Sequence, residues 1–152
     1  MKLTEHFTLA ELTASSTARK LGLDNTPGAD PLQQLHRTAQ MLERVRVHLG
    51  GHAVIVTSGF RSRQVNAAVG GVTSSDHSQG MATDVKIPAF GTPYEVAKAL
   101  APHIAALGIG QIIYESVNSV QWVHLSTRIP LQAVNRVITV HGKTTMMGIQ
   151  SV

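Results

Sequence analysis

The positions of apolar residues divide the chain into one long helical segment followed by short apolar runs. Apolar residues at three-, four- and seven-residue spacings predict an amphipathic helix: Leu32, Leu35, Leu42, Val45 and Leu49. Asp30 is its predicted N-cap, Pro31 lies in its first turn, and Gly50-Gly51 end it.

Three shorter helices are also predicted. Residues 9–12 follow Thr8, a plausible N-cap, with Glu11 at the position of a capping box. A second short helix extends from Arg63 to Val69 and stops at a glycine pair. A third is opened by Thr92-Pro93 and is expected to continue to about residue 107.

Runs rich in β-branched residues predict the strands. Residues 53–57 are expected to form a buried strand, and residues 82–87 a strand closed by Pro88. Residues 111–115 and 121–126 are expected to pair as strands across a five-residue loop, with a last strand over 134–140. Helices mixed with a small, mostly antiparallel sheet predict an α+β fold.

Composition narrows the chemistry that this fold can carry. A chain of 152 residues with 43% hydrophobic residues is expected to form one domain, residues 1–152. It contains no cysteine, which excludes disulfides and thiolate zinc sites. Any metal must therefore bind to His, Asp or Glu.

The formal net charge of +4 suits a polyanionic partner, but weakly. The chain has no Lys/Arg cluster and only six aromatic residues, so we expect no nucleic-acid partner. Contact with an anionic cell envelope fits equally well, as does a solvated surface without a partner. No apolar run is long enough for membrane insertion, and the first residues lack a signal-peptide core, so synthesis in the cytoplasm is expected.

Two separated segments contain candidate metal ligands. His77 and Asp84 lie in the run 75–84, and His124 follows in the segment Trp122-Val123-His124. Two imidazoles and a carboxylate make a three-ligand set for zinc that leaves one position open. Each residue also has a simpler interpretation: the histidines as surface or core residues, and Asp84 paired with Arg61 or a backbone amide.

The pattern Ser-x-His-x-x-Gly-x-Ala-x-Asp, completed by Trp-x-His, resembles the zinc D-alanyl-D-alanine carboxypeptidases and related phage endolysin peptidases. The resemblance covers roughly residues 4–128 and leaves a basic C-terminal extension, 129–152. Further matching blocks occur in order along the chain: 7–12, 24–27, 58–62, 65–66, 70–71 and 111–115. It implies that His77, Asp84 and His124 bind one zinc ion, within a fold like these peptidases and the hedgehog signalling domain.

The resemblance also suggests roles around the metal. Arg61, in Ser-Gly-Phe-Arg, would stabilise the oxyanion or bind a substrate carboxylate, unless it only forms a salt bridge to Asp76 or Asp84. Ser75 and Trp122 are candidate substrate contacts; the alternatives are a loop-shaping hydroxyl and a packing wall.

The general base is the least determined residue. Several relatives have an acidic residue three positions before the last zinc histidine, where this chain has Gln121. Glu115 is therefore the candidate base or acid. If the hairpin paired residue 115 with 121, Glu115 would point away from His124, and a one-residue bulge would be needed to bring it round.

The resemblance implies a zinc metallopeptidase whose zinc-bound water cuts an amide bond in the peptide stem or cross-link of peptidoglycan. A phage or prophage endolysin is expected, made without a signal peptide in the bacterial host and acting, as a monomer, on the cell wall after release or as a virion component. The alternative is a non-catalytic virion, tail or wall-binding module that keeps the fold, which the Gln121 departure favours.

Overall fold

A computed structural model describes residues 1–152 and contains one six-stranded sheet with five helices. The helices α1 to α5 are Leu9–Thr13, Ser16–Leu21, Ala29–His48, Arg63–Ala68 and Pro93–Leu100. The strands β1 to β6 are Ile55–Ser58, Ala82–Lys86, Gln111–Val117, Val120–Ser126, Val137–His141 and Thr144–Met147. Three 3-10 turns cover Asp76–Gln79, Ala101–His103 and Ala133–Asn135.

The sheet has the strand order β1-β2-β4-β3-β5-β6, and every pair is antiparallel except β3 with β5. The predicted α+β fold with a mostly antiparallel sheet is confirmed. The C-terminal extension adds β5 and β6 to the sheet beyond β3. The last strand predicted over 134–140 corresponds to β5, which begins later, at Val137, and β6 was not predicted.

The β3–β4 hairpin is longer and tighter than the sequence indicated. Its turn consists of Asn118 and Ser119, whose φ angles of 50° and 66° are both positive. Two-residue hairpin turns of this kind match the right-handed twist of the strands. The predicted five-residue loop is therefore wrong, because the strands pair up to the turn.

The helices follow their predicted positions with three corrections. α1 has the predicted capping box, but α3 begins at Ala29 with Gly28 as N-cap, so Asp30 lies inside the first turn rather than capping it. α5 ends at Leu100 instead of near residue 107, because Pro102 cannot continue an α-helix and a 3-10 turn follows. The short α2, capped by Ser15, was not predicted.

The two faces of the central strands differ in character. One face carries Val85, Val123 and Leu125, which are fully buried in a core shared with α3 and α5. The opposite face carries the candidate site. The predicted buried strand is instead the sheet edge β1, where Ile55 is 50% exposed, because β1 pairs on one side only. None of the helices combines the length and apolarity needed to cross a bilayer.

Candidate metal centre

His77, Asp84 and His124 meet on the face of the sheet opposite the core. The Nε2 atom of His77 lies 3.3 Å from Asp84 Oδ1, and the Nδ1 atom of His124 lies 3.2 Å from the same oxygen. One ligand atom from each residue lies within 4.8 Å of the other two. The structure therefore brings together the three predicted metal ligands, although they come from three separate segments.

Strand register positions two of these ligands. Asp84 in β2 pairs directly with His124 in β4. Directly opposed residues in an antiparallel pair point to the same face, with Cβ atoms about 5 Å apart. The carboxylate and the imidazole therefore face each other as a consequence of backbone pairing alone.

A network of backbone contacts positions His77. Ser75 Oγ accepts a hydrogen bond from the His77 backbone N–H, and the Gly59 carbonyl lies 2.8 Å from His77 Nδ1. If Nδ1 donates to that carbonyl, Nε2 is left as the free acceptor that faces Asp84. A metal-binding histidine is usually oriented in this way by a hydrogen bond from its other ring nitrogen.

Two glycines allow these segments to approach closely. A Cβ on Gly59 would lie 2.3 Å from the Leu12 carbonyl oxygen, and a Cβ on Gly80 would lie 2.4 Å from the Pro31 carbonyl oxygen. Gly80 also has a φ of +76°, a backbone conformation that residues other than glycine rarely adopt. The segment at Gly59 is thus packed against α1, and the turn that carries His77 is packed against α3.

The electrostatics of the cluster favour a cation. Burial acts to raise the pKa of Asp84, but hydrogen bonds from His124 and His77 outweigh it and hold this pKa far below its usual range. Burial acts to lower the pKa of His124, yet the Asp84 hydrogen bond and charge raise it overall. A buried carboxylate that needs positive charge, with two imidazoles beside it, fits a zinc ion as a donor set.

Arg61 lies beside the cluster, and its guanidinium has no ion-pair partner in the protein. Its Nε is buried without a hydrogen-bond partner, and it forms no ion pair within 4.0 Å. The salt bridge to Asp76 or Asp84 that the sequence left open is not formed. Burial lowers the pKa of Arg61, while the nearby charges of Asp84 and Glu115 oppose that shift.

Glu115 lies on the same face as the metal cluster. β3 pairs residue 115 with Trp122, so Glu115 is the diagonal neighbour of His124 and no bulge is required. Burial and the Asp84 charge raise the pKa of Glu115. The indole Nε1 of Trp122 is buried and has no hydrogen-bond partner within 3.5 Å. Its N–H nevertheless lies near enough to Glu115 to oppose the rise in the pKa of that carboxyl.

Gln121 and Ser75 have structural contacts. Gln121 pairs with Ser116 on the core face, and its Oε1 accepts a hydrogen bond of 2.8 Å from the Tyr114 hydroxyl. It therefore points away from His124. Ser75 is 9% exposed, and its hydroxyl oxygen caps the turn that carries His77.

Two residues support the site through contacts that the sequence did not predict. Asn25 Nδ2 donates to the carbonyls of Thr13 and Phe60, and its Oδ1 accepts from the Ser62 N–H, which secures both ends of the segment around Arg61. Asp76 accepts hydrogen bonds from Ser126 and Arg128. Both act over long sequence separations, which spacing alone does not reveal.

A small α+β domain that gathers a His-Asp-His cluster on one sheet face has the donor set of a zinc enzyme with an open coordination position. The family model described as Peptidase M15 matches residues 5–126, and the chain therefore belongs to this family of zinc peptidases. This confirms the resemblance drawn from the motifs. A comparison with curated proteins found no match.

Proposed function

We propose that the protein hydrolyses an amide bond in the peptide stem or cross-link of bacterial peptidoglycan. The observation that carries the proposal is the buried His-Asp-His cluster with Glu115 and an unpaired Arg61 around it. Membership of the Peptidase M15 family supports the reaction class and the polymer.

His77, Asp84 and His124 would hold one zinc ion through Nε2, a carboxylate oxygen and Nδ1. When bound, zinc polarises the scissile carbonyl and lowers the pKa of a water molecule towards neutrality. The Gly59 carbonyl keeps His77 in the orientation that this binding needs. The low pKa of Asp84 keeps its carboxylate ionised across the physiological range.

Glu115 is the proposed proton acceptor and donor of the reaction. It lies on the same sheet face as His124. Its raised pKa brings it closer to neutral pH, where a general base can accept a proton and later return it to the leaving amine. The guanidinium of Arg61 is proposed to bind a substrate carboxylate or the developing oxyanion, because its Nε needs a partner. Trp122 and Ser75 are proposed to line the substrate path.

The setting proposed for this activity is that of a phage or prophage endolysin. In this proposal a monomeric single domain is made in the host cytoplasm and reaches the wall after release or as a virion component. The net charge of +4 supports electrostatic contact with an anionic envelope.

The alternative of a non-catalytic module was favoured by the Gln121 departure. Gln121 is hydrogen-bonded to Tyr114 on the core face, opposite His124. The proposal that Glu115 is the base therefore does not depend on the residue at position 121.

The test is to incubate zinc-loaded protein with purified peptidoglycan and to measure new amino termini. Cleavage is expected for the native chain and for His36→Ala, which removes an exposed histidine of α3. It is expected to be lost with EDTA and with His77→Ala. Cleavage that persists in both, or is absent from the native protein, would contradict the proposal.

A further inference from the structure

Trp122 lies next to Glu115 on the sheet face that carries the metal centre. The two residues pair directly across β3 and β4. Directly opposed residues of an antiparallel pair point to the same face, with Cβ atoms about 5 Å apart. Trp122 is also two residues from His124 along β4, so the indole shares this face with a predicted metal ligand. The strand register therefore places the indole beside the proposed base.

The indole N–H of Trp122 is a buried donor without an acceptor. Its Nε1 has almost no accessible surface, and no hydrogen-bond partner lies within 3.5 Å of it. Buried polar groups are rarely left unpaired in native proteins, and an indole nitrogen can only donate. Since this atom does not face solvent, its acceptor has to be a neighbouring group of the protein.

Glu115 is the side-chain acceptor that the sheet brings to this donor. The diagonal neighbours of Trp122 on β3 are Ile113 and Val117, which have no polar side-chain atom. On the other side, β2 ends in Lys86, whose ammonium also only donates. Burial raises the pKa of Glu115, and the indole N–H acts against that rise, which indicates that the N–H is directed at the carboxylate.

We infer that Trp122 is the positioning residue of Glu115, whose carboxylate it holds through the indole N–H. A carboxylate has two oxygens, so holding one leaves the other free to face the His-Asp-His cluster and to accept a proton. Catalytic hydrogen bonds often tighten only when substrate is bound, so a separation above 3.5 Å is compatible with this role. The inference rests on the proposed function, because it takes Glu115 to be the base.

Trp122→Phe tests the inference, because it removes the N–H and keeps an aromatic ring in the proposed substrate path. With the zinc-loaded protein and peptidoglycan fragments, kcat is expected to fall about tenfold to a hundredfold, the range of one hydrogen bond to a charged group. KM and the zinc affinity are expected to be unchanged. Tyr94→Phe is the matched control, since it removes an aromatic hydroxyl from a ring that packs on Tyr114, on the core face, and it should change none of these quantities.

A positioning residue acts only through the group that it orients, so the same substitution is repeated in the Glu115→Gln variant. There Trp122→Phe should cause no further loss of kcat. If Trp122 served packing alone, the two losses would multiply, because free-energy effects of independent residues add. Circular dichroism checks that each variant is folded.

The single tryptophan of the chain allows a third measurement that needs no turnover. Its indole N–H gives one resonance in a ¹H–¹⁵N spectrum, and a hydrogen bond to a charged carboxylate moves the proton signal downfield. Glu115→Gln should move this signal upfield with or without zinc. Glu5→Gln, at a carboxylate side chain that is 81% exposed, should leave it in place.

These measurements separate the inference from the proposed function. If the native protein cleaves nothing but the indole signal moves in Glu115→Gln, the proposed reaction fails and the contact between Trp122 and Glu115 stands. An indole signal that does not move, an unchanged kcat in Trp122→Phe, or an equal loss of kcat with and without Glu115 would overturn the inference.

Discussion

Asp76→Ala would break the link between the two segments that carry the histidine ligands. Asp76 precedes His77, and its Oδ2 accepts a hydrogen bond of 2.7 Å from Ser126, two residues after His124. Its Oδ1 accepts a second bond of 2.7 Å from Arg128 Nε. One carboxylate therefore connects the His77 turn to the end of β4.

The two bonds differ in value because their surroundings differ. Ser126 is fully buried, so removing Asp76 leaves its hydroxyl donor without an acceptor, which costs about 1–3 kcal/mol. The Arg128 side chain is 51% exposed, and an exposed ion pair contributes at most about 1 kcal/mol. Asp76→Ala should therefore lower the free energy of unfolding by about 2–3 kcal/mol, most of it through Ser126.

Urea denaturation of the metal-free protein measures this loss, with Arg128→Gln as the matched control that removes only the exposed bond. We expect less than about 1 kcal/mol for the control. Zinc affinity, measured by competition with a chelator, should fall by about tenfold or more in Asp76→Ala, because outer residues that orient ligands have effects of that size. If Asp76→Ala and Arg128→Gln destabilise the protein equally and zinc affinity is unchanged, the reasoning is refuted.

Three further predictions concern the base, the backbone and pH. Glu115→Gln should lower kcat at least about a hundredfold while zinc stays bound, and adding Gln121→Glu should not restore it, since that side chain lies on the core face; rescue would contradict the register. Gly59→Ala should cost about 1–3 kcal/mol and weaken zinc binding, because its Cβ would meet backbone. Gly28→Ala meets no atom within 4 Å and changes only the N-cap of α3, so it should cost at most about 1 kcal/mol in the same denaturation assay and leave zinc binding unchanged. The pKa of His124 is raised in the folded, metal-free protein, so its protonation adds stability that is fully present below about pH 6.5 and is lost as pH rises through the folded-state pKa. His124→Asn should therefore lower the free energy of unfolding more at pH 5 than at pH 8. A larger loss at pH 8 would show that the sign of this argument is wrong.

Local features of the sequence predicted much of the fold. The capping box at Thr8, the apolar stripe of α3 and the glycines after it depend on neighbours within a few residues, and the structure has all three. The prediction errors occurred where the burial of a segment depends on which strands or helices pack beside it. The segment 53–57 is apolar enough for a buried strand, but its place at the sheet edge exposes Ile55.

The His-Asp-His cluster was predictable because its three residues lie in short motifs that resemble those of a known family. Glu115 was proposed from the sequence, but its orientation depended on a register that the sequence left open. The turn at Asn118 and Ser119 decided it by pairing residue 115 with 122. A shift of one residue would have turned the carboxylate to the core, because side chains alternate along a strand.

The sequence by itself predicted four of the five helices, most of the strands and the three residues proposed to bind the metal. The tertiary structure decided which face Glu115 and Gln121 occupy, that Arg61 is unpaired, and that Asp76 joins Arg128 across 52 residues. It also assembled a cleft lined by residues of α3, α4 and the turn that carries His77. Local patterns depend on bonds between near neighbours, whereas faces, partners and clefts depend on long-range packing that no short segment encodes.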